Sequence, residues 1–171
     1  MTILAAFDAR VAAHPDRAAI IEGGGRAVTF ARLSARAAFL ADRWRARGIA
    51  PGDRVLIAMG VSADLYAALA ALWRLGAVAV LPEPAMGLKG VRTALAAADV
   101  TAWIGAGALR ALPLLVPRLL AVPRLSLAEG TVPSPSPAPE WPGTHPALMS
   151  FTSGSTGRAK AILRSHGFLA A

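Results

Sequence analysis

The 171 residues contain no cysteine, which excludes disulfides, thiolate metal sites and a thiol nucleophile within them. Lysine is nearly missing as well: of 18 basic residues only Lys89 and Lys160 are lysine. The three histidines, His14, His145 and His166, lie far apart and show no metal-ligand spacing. His14 and His145 stand beside prolines and read as surface positions. Acidic residues number only 10, leaving a net charge of +8, yet the arginines are scattered along the chain. Dispersed positive charge offers no groove-reading element, so nucleic acid is not an expected partner. Long apolar runs are absent too. The most membrane-like stretch, 65–81, is interrupted by Arg74 and Gly76 and falls short of the roughly 20 apolar residues of a span. Met1-Thr2-Ile3-Leu4 lacks the basic start and apolar follow-on of a signal peptide. A cytoplasmic chain without a membrane span is the expectation.

What is present is apolar. Hydrophobic residues make up 55% and charged residues only 16%, which supplies a core and argues against disorder over most of the length. Ile3, Leu4, Phe7 and Val11 are spaced for a short helix that ends at His14-Pro15. Ala18–Ile21, a turn at Glu22-Gly23-Gly24-Gly25, and Ala27–Phe30 read as a hairpin. Thr29 is placed to cap a helix carrying Leu33, Ala37, Leu40, Ala41 and Trp44 on one face, with Gly48 at its end.

From there strands and helices alternate. Arg54–Met59 is a buried strand; Ser62 or Asp64 starts a helix to about Leu75; Gly76 closes it; Ala77–Leu81 is a strand. Leu88–Ala97 is a helix and Val100–Ile104 another strand. The alternation predicts an α/β fold with a parallel sheet and crossover helices. Continuous apolar strands agree, because parallel sheets are covered on both faces. Pro113, Pro117 and Pro123 restrict 106–128 to short pieces. Three parts follow: an α/β portion over 1–130, a proline-rich connector over 131–146, and a strand, loop and helix start over 147–171. The four tryptophans, Trp44, Trp73, Trp103 and Trp141, have no regular spacing and read as packing residues.

The chemistry is concentrated near the C-terminal end. Ala147–Phe151 is a short apolar strand running into Thr152-Ser153-Gly154-Ser155-Thr156-Gly157, followed by Lys160. Glycine tolerates unusual backbone angles, so several N–H groups can converge on an anion; hydroxyls add donors and the lysine adds charge. A strand before such a loop is a usual launching point for a phosphate cradle. It is not a Walker-type loop, since no glycine precedes Lys160 and no hydroxyl follows it. Ser165 is placed to cap a further helix. His166 then has two readings, packing at a helix start or a role beside the nucleotide.

The segment Phe151–Lys160 resembles the phosphate signature of the adenylate-forming superfamily of acyl- and aryl-CoA synthetases, luciferases and peptide-synthetase adenylation domains. It departs at Ala159, where proline is usual, and at Ala161, where glycine is usual. The resemblance extends over nearly the whole chain, through His14–Ile20, Val28–Leu33, Gly48–Val55 and Ala70–Val78. Pro84–Lys89, with Ile104-Gly105, is similar to long-chain acyl-AMP ligases that include the olefin β-lactone synthetases.

The resemblance implies an ATP-dependent ligase. A carboxylate, fatty on the Pro84–Lys89 likeness, attacks the α-phosphate of ATP with Mg²⁺, and the acyl group of the resulting acyl-adenylate passes to CoA or to the substrate's own β-hydroxyl. It also implies that Thr152, Ser153, Gly154, Ser155, Thr156, Gly157 and Lys160 hold the β- and γ-phosphates. The family's later adenine, ribose and Mg²⁺ segments would lie beyond residue 171. The chain alone would then be inactive, with an open sheet edge and marginal folding. The alternatives are a non-catalytic remnant holding nucleotide or a partner chain, and a structural or membrane-associated protein.

Overall fold

The computed structural model describes residues 1–129, 139–153 and 159–171. Helix α1 (Ile3–Ala13) starts at Thr2, whose Oγ1 accepts from Ala5 N at 3.1 Å. Strands β1 (Ala18–Ile21) and β2 (Ala27–Thr29) form the expected antiparallel hairpin. Helix α2 (Phe30–Arg45) is capped by Thr29, whose Oγ1 accepts from Arg32 N at 3.3 Å. It buries Leu33, Ala37, Leu40, Ala41 and Trp44, the face its spacing marks.

A six-stranded sheet follows in the order β6-β5-β3-β4-β7-β8. Strand β3 (Arg54–Ala58) leads through α3 (Ala63–Leu75) to β4 (Val78–Leu81). Ser62 is the cap that starts α3, its Oγ accepting from Leu65 N at 3.3 Å, and Gly76 ends it in a left-handed turn at φ 69°. Helix α4 (Gly87–Ala97) leads to β5 (Ala102–Gly105) on the other side of β3. Two 3₁₀ turns, Gly107–Ala111 and Pro117–Ala121, flank α5 (Leu112–Leu115) and precede β6 (Arg124–Leu125). Strand β7 (Pro146–Ser153) pairs parallel with β4, and β8 (Ala159–Ser165) runs antiparallel beside β7 before α6 (His166–Ala170). The other sheet pairings, β3 with β4, β3 with β5 and β5 with β6, are parallel.

Helices cover the sheet on both faces. Val55 and Ile57 of β3 point to a core with α2 and α3, where Leu40, Trp44, Ala67, Ala71 and Leu75 are packed. Leu56 and Ala58 point the other way, to Val91, Leu95, Trp103, Leu112, Leu119, Met149 and Phe151. An unbroken apolar strand is therefore used on both faces with a period of two. Arg36 of α2 ties the segment after β6 to this body, donating to Asp64 Oδ1 and Ala128 O, both at 3.0 Å. Arg74 of α3 donates to Asp8 Oδ1 at 2.7 Å and fixes α1. Burial pushes the Asp8 carboxyl up, outweighing the lowering influence of Arg74. No helix among the described residues is long and apolar enough to cross a membrane.

Candidate nucleotide-phosphate hairpin

Strand β7 reaches the candidate loop from inside the sheet. Ala147, Met149 and Phe151 are buried, and β4 holds the strand at Ala79–Leu148, Val80–Met149 and Leu81–Ser150. Strand β8 returns in a register that sets Phe151 opposite Ala161, Thr152 opposite Lys160 and Ser153 opposite Ala159. β7 and β8 are thus the two arms of a hairpin on either side of the candidate loop. Its first two expected residues, Thr152 and Ser153, and its last, Lys160, stand on facing strands. Lys160 is exposed. Gly154, Ser155, Thr156 and Gly157 lie outside the described residues. Directly opposed residues of an antiparallel pair have Cβ atoms roughly 5 Å apart. The register therefore brings the lysine's strand position back beside the start of a hydroxyl-rich segment from which it is separated in sequence.

The two departures from the family signature fall on β8. Proline at 159 would have no N–H to donate, whereas alanine lets the strand begin there. Sequence reading placed no strand over 159–165, because Ala159–Ser165 shows no clean alternation and ends in a helix cap.

His166 is placed by the opposite end of the same hairpin. Ser165 Oγ accepts from Phe168 N at 3.3 Å, the expected cap of α6. The His166 ring is fully buried, edge-on to Trp73 at 6.1 Å between centroids and stacked on His145 at 5.9 Å. His145 in turn stacks on Trp141 at 4.6 Å. His145 Nε2 lies 3.0 Å from Gly76 O. A carbonyl can only accept, so Nε2 carries the hydrogen and donates. His145 is therefore half-buried and bonded, which corrects its reading as a surface residue: the proline beside it opens β7 rather than an exposed loop. Backbone bonds close the joint, His166 N donating to His145 O at 2.9 Å and Gly167 N to Gly143 O at 2.7 Å. Neither His166 ring nitrogen finds a partner among the described residues. Burial, and secondarily His145, pushes the imidazole below its ordinary value of 6.5. Along β8 this residue is about 20 Å from Lys160 at roughly 3.3 Å per residue. The geometry favours packing over contact with nucleotide.

The cluster of Trp73, Trp141, His145 and His166 escaped sequence reading because its members come from separate elements without a shared period. Trp44 and Trp103 are almost fully buried, in accord with their reading as packing residues. Among the described residues no group of three His, Asp or Glu could hold a metal ion. The described strands of the hairpin carry no Asp or Glu. Two clefts, of about 260 and 450 Å³, lie at the two ends of β5 and β6 and do not border the hairpin.

Comparison with known proteins agrees with this architecture. The family model described as AMP-binding enzyme matches residues 7–171. The chain is 34% identical over 171 residues to a feruloyl-CoA synthase from Amycolatopsis sp, covering 97% of this chain and 34% of that protein. It is 33% identical over 172 residues to the AMB antimetabolite synthetase AmbE from Pseudomonas aeruginosa, covering 96% of this chain and 8% of that protein. Among solved structures, the N-terminal subdomain of NpsA from Klebsiella oxytoca, in complex with 3-hydroxybenzoyl-AMSN, has a TM-score of 0.79 at 28% identity, covering 96% of this chain and 41% of that one. The inhibitor-bound N-terminal domain of FACL13 from Mycobacterium tuberculosis has a TM-score of 0.82 at 29% identity, covering 96% of this chain and 44% of that one. The chain thus spans about a third or less of the length of these curated relatives. A match over all but the first six residues, on a sheet shared with adenylation and acyl-CoA synthetase structures, shows that the chain belongs to the AMP-binding enzyme family.

Proposed function

We propose that this chain is the N-terminal, phosphate-binding part of an ATP-dependent ligase that activates a carboxylic acid as its acyl-adenylate. The observation that carries the reading is the β7–β8 hairpin, which opposes Thr152 and Lys160 across the strands on either side of a Gly/Ser/Thr segment. When the carboxylate attacks the α-phosphate, negative charge develops on the departing pyrophosphate. Lys160, with hydroxyls and N–H groups from Thr152 to Gly157, would neutralise that charge at fixed positions. Mg²⁺, when bound with the nucleotide, would add Lewis-acid polarisation. The reaction conserves atoms: the carboxylate oxygen forms the bond to phosphorus, and pyrophosphate leaves with the electron pair.

For the acid, the Pro84–Lys89 segment supports a fatty acyl chain, with CoA or the substrate's own β-hydroxyl as the final acceptor. A second reading, an aromatic acid, is favoured by relatives named for feruloyl-CoA synthesis and for a 3-hydroxybenzoyl ligand. The proposed setting is the cytoplasm. A non-catalytic nucleotide-binding role is the competing function.

The test is equilibrium binding of labelled ATP to the 171-residue chain and to Lys160→Ala. Loss of one charge-assisted contact predicts roughly a tenfold weaker affinity or more. Unchanged affinity in the variant would remove the hairpin from the nucleotide site. Pyrophosphate–ATP exchange by the same material separates the two functions: the ligase reading expects none from this part alone, and exchange would show that it carries the chemistry unaided.

A further inference from the structure

The winding of the sheet reverses between β3 and β5. Strand β3 leads into α3, whose Ala67 and Leu72 pack on one face of the sheet. Strand β5 leads into the segment bearing Leu112 and Leu119, which pack on the other face. Adjacent parallel strands whose exits part in this way leave a crevice at their carboxyl ends, the usual ligand position of an open α/β sheet. Ala106 N donates to Ala58 O at 3.2 Å, so the two strand ends are held together. The larger cleft, about 450 Å³, opens there. It is bordered by Asp64 in the first turn of α3, by Gly105 and Ala106 at the end of β5, by Arg110, and by residues 124–129. Its volume falls in the range of small-molecule sites, about 300–1,000 Å³.

One wall of the cleft is pinned. Arg36 donates to Asp64 Oδ1 and Ala128 O, both at 3.0 Å, and to Leu127 O at 2.5 Å. Trp44 Nε1 donates to Ser126 O at 3.1 Å, and Ala128 N to Ser126 Oγ at 3.0 Å. The wall is therefore in place before a ligand arrives, which lowers the ordering cost of binding. Arg36 and Asp64 also neutralise each other. The charges left in the cleft are of both signs: Arg110 and Arg124 against Glu129. Arg124 also borders the smaller cleft. Although the three share one cleft, none of them forms an ion pair among the described residues. A purely anionic ligand would meet Glu129, and a purely cationic one the arginines, so either faces a like charge. A molecule carrying both signs faces neither penalty.

We infer that the cleft at the carboxyl ends of β5 and β6, between Arg110 and Glu129, is a ligand site for a small zwitterion. The ligand's carboxylate meets Arg110, with Arg124, through charge-assisted hydrogen bonds, and its ammonium meets the Glu129 carboxylate. Its hydrocarbon body lies against Ala106 and Leu127, which line the same cleft. The inference does not depend on the ligase reading, because none of these residues belongs to the β7–β8 hairpin.

The experiment is isothermal titration calorimetry on the 171-residue chain with two zwitterions, L-leucine and 4-aminobutyrate. The first carries its charges on one carbon and the second at two ends, so the pair separates a close from an open spacing of the protein's charges. Each is matched by molecules of single charge: 4-methylpentanoate and 3-methylbutylamine for L-leucine, butyrate and propylamine for 4-aminobutyrate. One zwitterion is expected to bind with a dissociation constant of about 1 mM or tighter, at least roughly tenfold below those of its single-charge analogues. Arg110→Gln should weaken it roughly tenfold. Glu129→Gln should weaken it by a similar factor while preserving or improving binding of the matching carboxylate, a reversal that misfolding would not produce. Both positions are exposed, so each variant's thermal midpoint should match the parent's. Each variant should also keep the parent's affinity for labelled ATP, which tells failure here apart from failure of the hairpin reading. The inference is overturned if neither zwitterion binds, or if the single-charge molecules bind as tightly. It is also overturned if Glu129→Gln weakens zwitterion and carboxylate alike.

Discussion

His166 has no route to a proton that does not cost the fold. Its ring is enclosed by Trp73 and His145, and both nitrogens lack partners among the described residues. Burial lowers its affinity for a proton in the folded chain below the ordinary 6.5 of the unfolded one. The unfolded chain therefore takes up the proton first as pH falls. Stability from this group is complete above 6.5 and declines as pH drops below it towards the folded value. Denaturant midpoints on the two sides of 6.5 should show the decline, and His166→Phe should flatten it. If His166→Phe keeps the parent's slope, the proton is taken elsewhere. Histidine in an aromatic joint was not legible from sequence, which shows the residue and its cap but not the rings of Trp73 and His145 brought against it, with Trp141 stacked behind His145.

At the scale of elements, the end of α3 and the residues leading into β7 meet most tightly at one residue. Gly76 sits at φ 69°, and a Cβ there would meet the Trp141 ring at 2.5 Å. Gly76→Ala should therefore cost about 2 kcal/mol or more, combining a left-handed alanine with a displaced indole. Combining it with Trp141→Ala should recover the steric part and leave the conformational part, a non-additivity readable in a double-mutant cycle by chemical denaturation. Full additivity would mean that the ring moves aside freely. Gly76 as a helix stop was legible because a glycine after an apolar helical run is a common C-terminal signal. So were α2, α3, β3, β4 and β5, whose apolar residues carry either helical spacing or unbroken strand runs. Strand β6, two residues long, carries too little pattern to be seen. Strand β8 was missed for a different reason: its pairing with β7 is a tertiary fact, and Lys160 and Arg164 mask its few apolar positions.

For the molecule as a whole, the sheet ends on β8. Ile162 is 37% exposed and Leu163 53%, on opposite faces of that strand, and Phe168 of α6 is 61% exposed nearby. A terminal strand with apolar residues on both faces is a template for further pairing. The isolated chain is expected to associate as its concentration rises, and Leu163→Lys is expected to suppress this without lowering the thermal midpoint. Light scattering across a dilution series checks it; monodisperse parent chain at high concentration would show the edge to be protected.

The facing of Thr152 and Lys160 has a consequence for how such a chain can vary. Because side chains along a strand alternate between faces, sliding β8 by a single residue against β7 would turn over the whole of β8. Ile162 and Leu163 would exchange faces, and Lys160 would leave the face it now holds opposite Thr152. The pairing of β8 with β7 is therefore subject to a parity rule: a slip of two residues keeps each side chain on its face, and a slip of one does not.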